Sequence, residues 1–302
     1  MKLKSHLYSL IAIGIWSSLE LAGKLLGEGI SPFAITAWRF LIGGACLAPF
    51  AVRGWTRNKI KLSVSSILKL GLLGILNVVI SMLLLQWAIY YGKASLVAVI
   101  VSMNPLFVSL FAMVLLKEKL SRFQVYSLFV GLIGLIIIIL GEKQLYQHSF
   151  NHLPLGIVFA ILAAITFALY TVLTKWAVSQ YGNLITNSAS FLIGGIVLSG
   201  INLTIGKSMS FAMTWHNISL ILYLGVIITG LAYILYFEAM KQLSAARASF
   251  YFFLKPALAT LLAKFFLGEQ LSAMQISGIV LIMMALSRRF WIGLYERNKL
   301  KA

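Results

Sequence analysis

The sequence predicts an all-α integral membrane protein, with ten transmembrane helices arranged as two inverted five-helix repeats around a central cavity. Three observations lead to this prediction. Hydrophobic residues make up 61% of the 302-residue chain and charged residues only 11%, a composition outside the range of soluble domains. Apolar runs long enough to cross a bilayer follow one another along the chain. The second half of the sequence also repeats the first.

The composition restricts the class of protein and its partners. A soluble domain of this length could not cover so much apolar surface with seven acidic residues. The net charge of +18 comes mainly from Lys and Arg in short segments between apolar runs, which is the usual topological signal of membrane insertion. We therefore expect a lipid bilayer around the chain and no nucleic-acid partner. The single cysteine, Cys46, excludes an intramolecular disulfide.

Ten apolar runs give the predicted spans, each about 17–25 residues long. The first run follows Met1-Lys-Leu-Lys4 as in a signal peptide, but no small-x-small cleavage site follows it and the repeat aligns it with a later run. We therefore predict a retained span. The spans are predicted at residues 6–26, 32–52, 66–89, 95–116, 122–140, 154–174, 184–206, 217–240, 246–267 and 271–290.

The basic residues are unequally divided between alternate loops, which predicts the orientation of the chain. With a cytoplasmic N-terminus, the outer loops hold Lys93, Lys143 and Lys207, while the inner loops and tails hold most of the other Lys and Arg residues. We therefore expect a multi-pass protein of the cell membrane (plasma or inner membrane), with both termini cytoplasmic.

The repeat has a constant offset. The segment Phe40-Leu-Ile-Gly-Gly44 recurs as Phe191-Leu-Ile-Gly-Gly195, 151 positions later. We divide the chain into a first unit, 1–150, and a second unit, 151–302. Because each unit holds an odd number of spans, the second is expected to cross the membrane in the opposite sense. Inverted repeats of this kind are typical of secondary transporters, whose site lies near the bilayer midplane between the repeats.

Both halves carry a polar residue followed by a proline in the middle of a span: Asn104-Pro105 and Lys255-Pro256. Proline removes a backbone hydrogen bond and kinks a helix, and it frees the carbonyl four residues earlier. Irregular backbone at membrane depth is tolerated where it lines a cavity or is buried in protein. Two interpretations stay open: Asn104 and Lys255 face a substrate cavity, or they only support a structural kink.

Glu20 and Lys24 lie four residues apart in the first predicted span, in the favourable order for an ion pair along a helix. Glu20 either pairs with Lys24, or faces the cavity and takes up a proton or binds a substrate ammonium group. Lys255 is either the partner of Glu20 across the cavity or a ligand for a substrate carboxylate. For Arg39, near the outer end of its span, we expect a structural role in which the side chain reaches the headgroups.

Aromatic residues are frequent on spans that could face inward, and an aromatic cavity suits amphipathic or aromatic solutes. Trp and Tyr also collect at membrane interfaces for other reasons, so only those deep in a span are selected. Together with the polar residues, the predicted substrate-binding set is Trp16, Glu20, Asn77, Asn104, Tyr170, Tyr233, Tyr251 and Lys255.

Enzyme signatures are missing from the sequence. His148 and His152 have a helix-compatible metal spacing but no evident third ligand. The chain has no Gly-rich phosphate loop and no nucleophile elbow, and it contains no Asp for an acid-rich metal motif. We therefore expect neither catalytic activity nor a cofactor or metal ion.

One pattern resembles a known family. Pro105 with Glu118-x-Leu-Ser121, repeated as Pro256 with Glu269-x-Leu-Ser272, resembles the EamA-type transporters of the drug/metabolite transporter superfamily. The resemblance covers nearly the whole chain. It implies a ten-helix bundle in which spans 1, 3, 4, 6, 8 and 9 surround a central cavity. Glu118 and Glu269 match the loop glutamate of that family, and we interpret them as structural, with an N-terminal cap-like or dipole role at the start of spans 5 and 10.

The expected function is secondary transport of small organic metabolites, such as amino acids or their derivatives, by alternating access. The resemblance implies the outward direction, which is common in this family. Protons are the candidate coupling ion through Glu20. Two alternatives remain at this point: a flippase or carrier for an amphipathic lipid or a nucleotide-sugar, and a membrane-embedded lipid-modifying enzyme. The second would need an acid or His cluster at the membrane interface, which the sequence lacks.

Overall fold

The structure is a computed structural model that describes residues 2–27, 29–58, 62–141, 152–206, 208–268, 270, 272–282 and 284. Every regular element in these ranges is helical. The helices, numbered in chain order, are α1 (Lys2–Trp16), α2 (Leu19–Leu25), α3 (Pro32–Asn58), α4 (Val64–Tyr91), α5 (Ala94–Leu115), α6 (Arg122–Leu140), α7 (Leu153–Tyr181), α8 (Asn183–Thr204), α9 (Trp215–Met240), α10 (Ala245–Leu267) and α11 (Ala273–Ile282).

Seven of the described helices are long and apolar enough to cross a membrane: α3, α4, α5, α7, α8, α9 and α10. Their bounds agree with the predicted spans to within a few residues at most ends. Helices α6 and α11 are apolar but shorter within the described ranges, and the first predicted span is divided into α1 and α2 at Ser17 and Ser18. The number of ten transmembrane helices therefore stays a prediction.

The helix starts follow from short side chains that accept hydrogen bonds from free backbone N–H groups. Ser121 accepts a hydrogen bond from the Gln124 backbone N–H, and the Gln124 side chain accepts one from the Ser121 N–H, which forms a capping box. Ser272 and Gln275 repeat the same pair of bonds at the start of α11. The Ser-x-x-Gln part of the repeated motif is thus a helix-start signal.

Glu118 does not cap α6, so the expected role at the start of the fifth span was wrong. Its carboxylate accepts hydrogen bonds from the backbone N–H groups of Ala245 and Ala246, at 2.9 and 3.3 Å. It also forms an ion pair with Lys175 at 2.7 Å. A carboxylate at a helix N-terminus satisfies free donors and complements the helix dipole. Glu118 therefore joins the first half of the chain to the start of α10, while Glu269 lies outside the described residues.

Replacing Glu118 by Gln should destabilise this junction, because the ion pair with Lys175 and the charge at the start of α10 are both lost. We expect a loss of about 1–2 kcal/mol in the free energy of unfolding. A titration with SDS in mixed micelles would measure it. Lys119→Gln is the matched control, because Lys119 is an exposed side chain on the same loop. Equal stability of both variants would show that Glu118 does not stabilise the contact between the first half and the start of α10.

The two halves meet through glycines at equivalent positions. A Cβ on Gly43 would lie 2.9 Å from the Gly225 carbonyl oxygen, and a Cβ on Gly194 would lie 2.5 Å from the Gly74 carbonyl oxygen. The two contacts are equivalent, because Gly194 lies 151 positions after Gly43 and Gly225 lies 151 positions after Gly74. Close backbone approach at small residues is how helices associate in lipid. These glycines therefore allow the helices of the two halves to pack closely.

Two pairs of equivalent aromatic residues also meet. Phe40 contacts Phe191 edge-on with 5.0 Å between ring centroids, and Trp16 contacts Phe167 edge-on at 5.8 Å. The members of each pair are again 151 positions apart. Equivalent residues of the two halves therefore meet in the interior of the protein, around Trp16.

Candidate functional site

A narrow cavity lies between the two halves, with room for little more than a water molecule. Side chains from both halves form its wall, mostly apolar or aromatic, with two cations among them. The lining residues are Trp16, Leu19, Arg39, Met82, Leu85, Val101, Ala163, Phe167, Ile228, Tyr233, Phe252 and Lys255. Trp16, Tyr233 and Lys255 are therefore predicted site residues that the structure brings together.

Glu20 pairs with Lys255 beside this cavity. The distance from Glu20 Oε1 to Lys255 Nζ is 2.5 Å, and both residues are 1% exposed. The second carboxylate oxygen of Glu20 has no hydrogen-bond partner among the described residues. Of the two interpretations of Lys255, the structure places it as the partner of Glu20. The pair joins α2 in the first half to α10 in the second.

Lys24 makes other contacts. Its ammonium group donates to the carbonyl oxygens of Ile89, Tyr90 and Gly92, at 3.2, 3.3 and 3.0 Å. These carbonyls belong to the C-terminal end of α4, where backbone acceptors have no helical partner and cations are favourable. The alternative in which Lys24 neutralises Glu20 along the helix was therefore wrong.

Lys175 repeats this arrangement in the second half. It donates to the Leu243 carbonyl oxygen at 3.2 Å, and Leu243 follows α9 as Gly92 follows α4. Lys24 and Lys175 are 151 positions apart, as are Gly92 and Leu243. Each half thus has a lysine that holds the chain between two helices of its own half.

Arg39 lies in the cavity wall, so the expectation that it reaches the headgroups was wrong. The residue is only 1% exposed, and its guanidinium carbon lies 4.8 Å from the centre of the Phe40 ring. Its Nε has no hydrogen-bond partner among the described residues. Glu20 and Tyr233 are close enough to interact with it electrostatically. This residue was missed as a candidate binding residue.

An aromatic cluster surrounds Trp16. The rings of Phe167, Tyr233, Tyr236 and Phe252 have centroids 4.9–5.8 Å from the indole. The indole N–H donates to the Ile228 carbonyl oxygen at 2.9 Å, which fixes the orientation of the ring. Phe167, Tyr236 and Phe252 were not in the predicted set. The cavity therefore has a rigid aromatic wall.

The two central asparagines lie behind the wall and do not line the cavity. Asn104 is fully buried, and its amide nitrogen approaches the Ala164 carbonyl oxygen at 3.5 Å. Asn77 is adjacent to the Tyr233 hydroxyl, yet neither amide atom has hydrogen-bond geometry to any described partner. Buried amides without partners are uncommon and unfavourable in a packed interior. If the cavity widens, these amide groups are available to bind a ligand.

Two predicted residues lie away from the cavity wall. The Tyr170 hydroxyl is 3.4 Å from Asn187 Oδ1, and its ring stacks on Phe167 at 6.0 Å, one layer out from the cavity. Tyr251 bonds to His6 Nδ1 at 2.7 Å. Since His6 lies near the start of α1, Tyr251 is placed nearer to one end of the bundle than to its centre.

The prolines do not kink continuous α-helices as predicted. In α5 the α-helical pattern ends at Val101 and resumes at Asn104, so Pro105 lies in the first turn of the new segment, where a missing N–H has no cost. In α10 a 3₁₀ segment, Phe250–Leu254, precedes Lys255 and Pro256. The Phe252 carbonyl is not free, because the Lys255 N–H donates to it. Irregular backbone nevertheless lies beside the cavity.

Helices α4 and α9 each contain a π-helical segment, Ile75–Met82 and Tyr223–Leu231. The segments overlap when the 151-residue offset is applied. Asn77 lies in the first, and its equivalent Ile228, whose carbonyl binds Trp16, lies in the second. π-Helical turns are rare and often occur at functional sites. Both segments contribute to the centre of the bundle.

The residues match the EamA-like transporter family model twice, over 3–140 and 154–287. The chain belongs to the EamA-like transporter family. A protein of Clostridium kluyveri named as an uncharacterized transporter is 38% identical over 281 residues, which cover 92% of this chain and 90% of that protein. Protein PecM of Dickeya dadantii is 30% identical over 233 residues, 76% of each chain.

The fold also has a solved counterpart. A crystal structure aligns with a TM-score of 0.73 and 18% sequence identity, and the alignment covers 99% of each chain. Together with the apolar helices, the family identifies this EamA-like chain as a multi-pass membrane transporter. The resemblance seen in the repeated motifs is therefore confirmed.

Proposed function

We propose that this EamA-like protein is a secondary transporter that exports small organic metabolites, such as amino acids or their derivatives, by alternating access across the cell membrane. The observation that carries the proposal is the buried Glu20–Lys255 pair beside a central cavity between the halves. Charged groups inside a membrane are costly and mark substrate or ion pathways. Transporter relatives over most of the chain support the same class.

The proposal includes two inverted units, 1–150 and 151–302, with both termini cytoplasmic. The exchange of glycine contacts between the halves supports their relation by a two-fold axis. With an odd number of spans in each unit, that axis would lie in the membrane plane. The distribution of basic residues among the loops supports the orientation.

In this arrangement the two lysine junctions would lie on opposite sides of the membrane. Lys24 holds the C-terminal end of α4 on the outer side, and Lys175 with Glu118 holds the start of α10 on the inner side. Because the cavity is narrow, substrate entry requires the halves to separate on one side. We propose that each side opens by release of its own junction while the other stays closed.

Glu20 is the proposed coupling residue, for protons or for a substrate ammonium group. Protonation of Glu20 would remove its attraction for Lys255 and free the ammonium group for another partner. The Glu20→Gln variant is therefore expected to lose the dependence of transport on a pH gradient. Flux of amino acids and related metabolites in proteoliposomes, with and without a pH difference, measures this. Unchanged dependence would remove Glu20 from the coupling role.

Glu20→Gln also leaves Lys255 without its partner, so a second variant is needed. In Glu20→Gln/Lys255→Gln both charges are absent, and pH coupling should again be lost while the protein stays folded. Lys241→Gln is the control, because its pair with Glu238 is exposed. If no solute moves but labelled lipid exchanges between leaflets, the flippase alternative replaces metabolite transport.

A further inference from the structure

We propose that Arg39 makes the central cavity a binding site for an organic anion, a carboxylate carried by a compact apolar or aromatic body. This rests on the proposed transport function and specifies its substrate class. The charges at the cavity do not balance. Lys255 and Arg39 both lie in its wall, and Glu20 pairs with Lys255. One positive charge is therefore in excess.

No other described carboxylate can supply the missing negative charge. Glu118 pairs with Lys175, and Glu238 pairs with Lys241 at an exposed position. The sequence contains no Asp. Within the described ranges, Glu20 is thus the one acid next to the cavity, and Lys255 already holds one of its oxygens. The excess cation is available to a ligand.

Arg39 has the geometry of an unsatisfied donor. It is 1% exposed, it lines the cavity, and its Nε has no partner among the described residues. The ring of Phe40, 4.8 Å away, provides a cation–π contact but accepts no planar pair of hydrogen bonds. A guanidinium group recognises a carboxylate with two parallel hydrogen bonds. Removing such a cation from water is unfavourable unless a partner compensates it.

The rest of the wall indicates the body of the ligand. Apart from the two cations and Tyr233, the lining side chains are apolar or aromatic, including Trp16, Phe167 and Phe252. Once the halves separate and widen the cavity, these rings would stack on a flat or compact hydrophobic group. A small inorganic anion would leave this surface unused. The combination therefore fits an amphipathic monocarboxylate.

The charge of Arg39 is not repeated in the second half. Its equivalent in the second half is Ser190, whose hydroxyl donates to the Thr186 carbonyl of its own helix. The equivalents of Glu20 and Lys255 are Thr171 and Asn104. The equivalent positions in the other half are neutral, so the helix packing that both halves share does not require charged residues at these positions.

Binding of four matched probes tests the proposal: benzoate, benzylamine, benzyl alcohol and acetate. The first three share a ring and differ in charge, and acetate is the anion without a ring. The protein is reconstituted in nanodiscs, and affinity is measured by calorimetry and thermal stabilisation. We expect benzoate to bind more tightly than the other three. This comparison uses the unaltered protein, so it does not depend on whether a variant folds.

Arg39→Gln should weaken benzoate binding about tenfold or more, since a charge-assisted hydrogen bond is lost. Arg39→Lys should keep the preference for benzoate over benzylamine with reduced affinity. Arg247→Gln, which removes an exposed cation, should bind as the unaltered protein does. Equal binding of benzylamine or benzyl alcohol, or unchanged benzoate affinity in Arg39→Gln, would overturn the proposal. Equal binding of acetate would show that the site does not require an apolar body on the ligand.

Flux measurements separate this inference from the transport function. If proteoliposomes carry only solutes that lack a carboxylate, the protein is a transporter and the anion site is rejected. If benzoate binds through Arg39 while a broad set of metabolites shows no flux, the anion site stands and the transport function is rejected.

Discussion

Glu20→Gln is expected to destabilise the protein by about 3–5 kcal/mol, because breaking a buried ion pair leaves an uncompensated charge. Lys255 would then remain beside Arg39 in the same cavity wall without a carboxylate among the described neighbours. Lys255→Gln should lower the free energy of unfolding by a smaller amount. In that variant Glu20 keeps Arg39 as a nearby counter-charge. Unfolding with SDS in mixed micelles measures both variants.

Two controls separate the ion pair from general effects of substitution. Glu20→Gln/Lys255→Gln should be more stable than Glu20→Gln, since removing both charges leaves no unpaired one. Lys241→Gln should have little effect, because the Lys241–Glu238 pair is exposed. If Glu20→Gln and Lys241→Gln unfolded at the same SDS concentration, the buried pair would not contribute as described.

Gly74→Ala should prevent normal association of α4 with α8. An added Cβ would lie 2.2 Å from the Ser190 carbonyl oxygen and 3.0 Å from the Gly194 backbone nitrogen. Backbone atoms in two packed helices cannot move aside without separating the helices. We expect a cost of about 3 kcal/mol, at the upper end for overpacking, and a lower yield of monodisperse protein on gel filtration.

The chain provides graded comparisons for this variant. Gly225→Ala is the equivalent change in the second half, where the added Cβ would lie 2.6 Å from Cγ2 and 2.7 Å from Cβ of Ile42. These atoms of a β-branched side chain cannot shift freely, so the loss should be of similar size. Gly200→Ala is the control in an open part of α8, with nothing within 4 Å. A Gly74→Ala protein as stable as Gly200→Ala would show that the helices are farther apart.

The sequence was most informative where apolar length and repetition decide the structure. Seven predicted spans match described helices of full length, because a stretch that cannot be hydrated must form its own backbone hydrogen bonds. The constant offset also identified the glycines at the contacts between the halves. Repetition constrains which residues are equivalent, and equivalent residues such as Phe40 and Phe191 meet where the halves are in contact.

Arg39 shows what sequence reasoning can overlook. Its distance from the end of the span suggested that a long side chain could leave the membrane. However, Gly43 lies four residues later and therefore on the same helix face, and that glycine contacts Gly225 in the other half. A face selected for close backbone contact points into the protein. The relation between Arg39 and Gly43 was a signal available before the structure.

The long-range partners could not be deduced from one sequence. Glu118 binds α10 at Ala245, and Glu20 binds Lys255, 235 positions away. In both cases the local sequence suggested a neighbouring partner: the helix start that follows Glu118, and Lys24 for Glu20. The bonds between Ser121 and Gln124 are local and follow a Ser-x-x-Gln pattern typical of helix starts, but ionic partners depend on how the helices are arranged.

The cationic residues Arg39 and Lys255 have neutral equivalents in the other half, which has a consequence for any guest molecule. A perfectly duplicated chamber would accept an asymmetric guest in two equivalent poses, turned by half a revolution. Here the equivalent of Arg39 is Ser190, and the equivalent of Lys255 is Asn104. One pose would therefore direct the acidic end of the guest at the cations and the other at neutral groups. A duplicated scaffold can thus hold its cargo in a single direction.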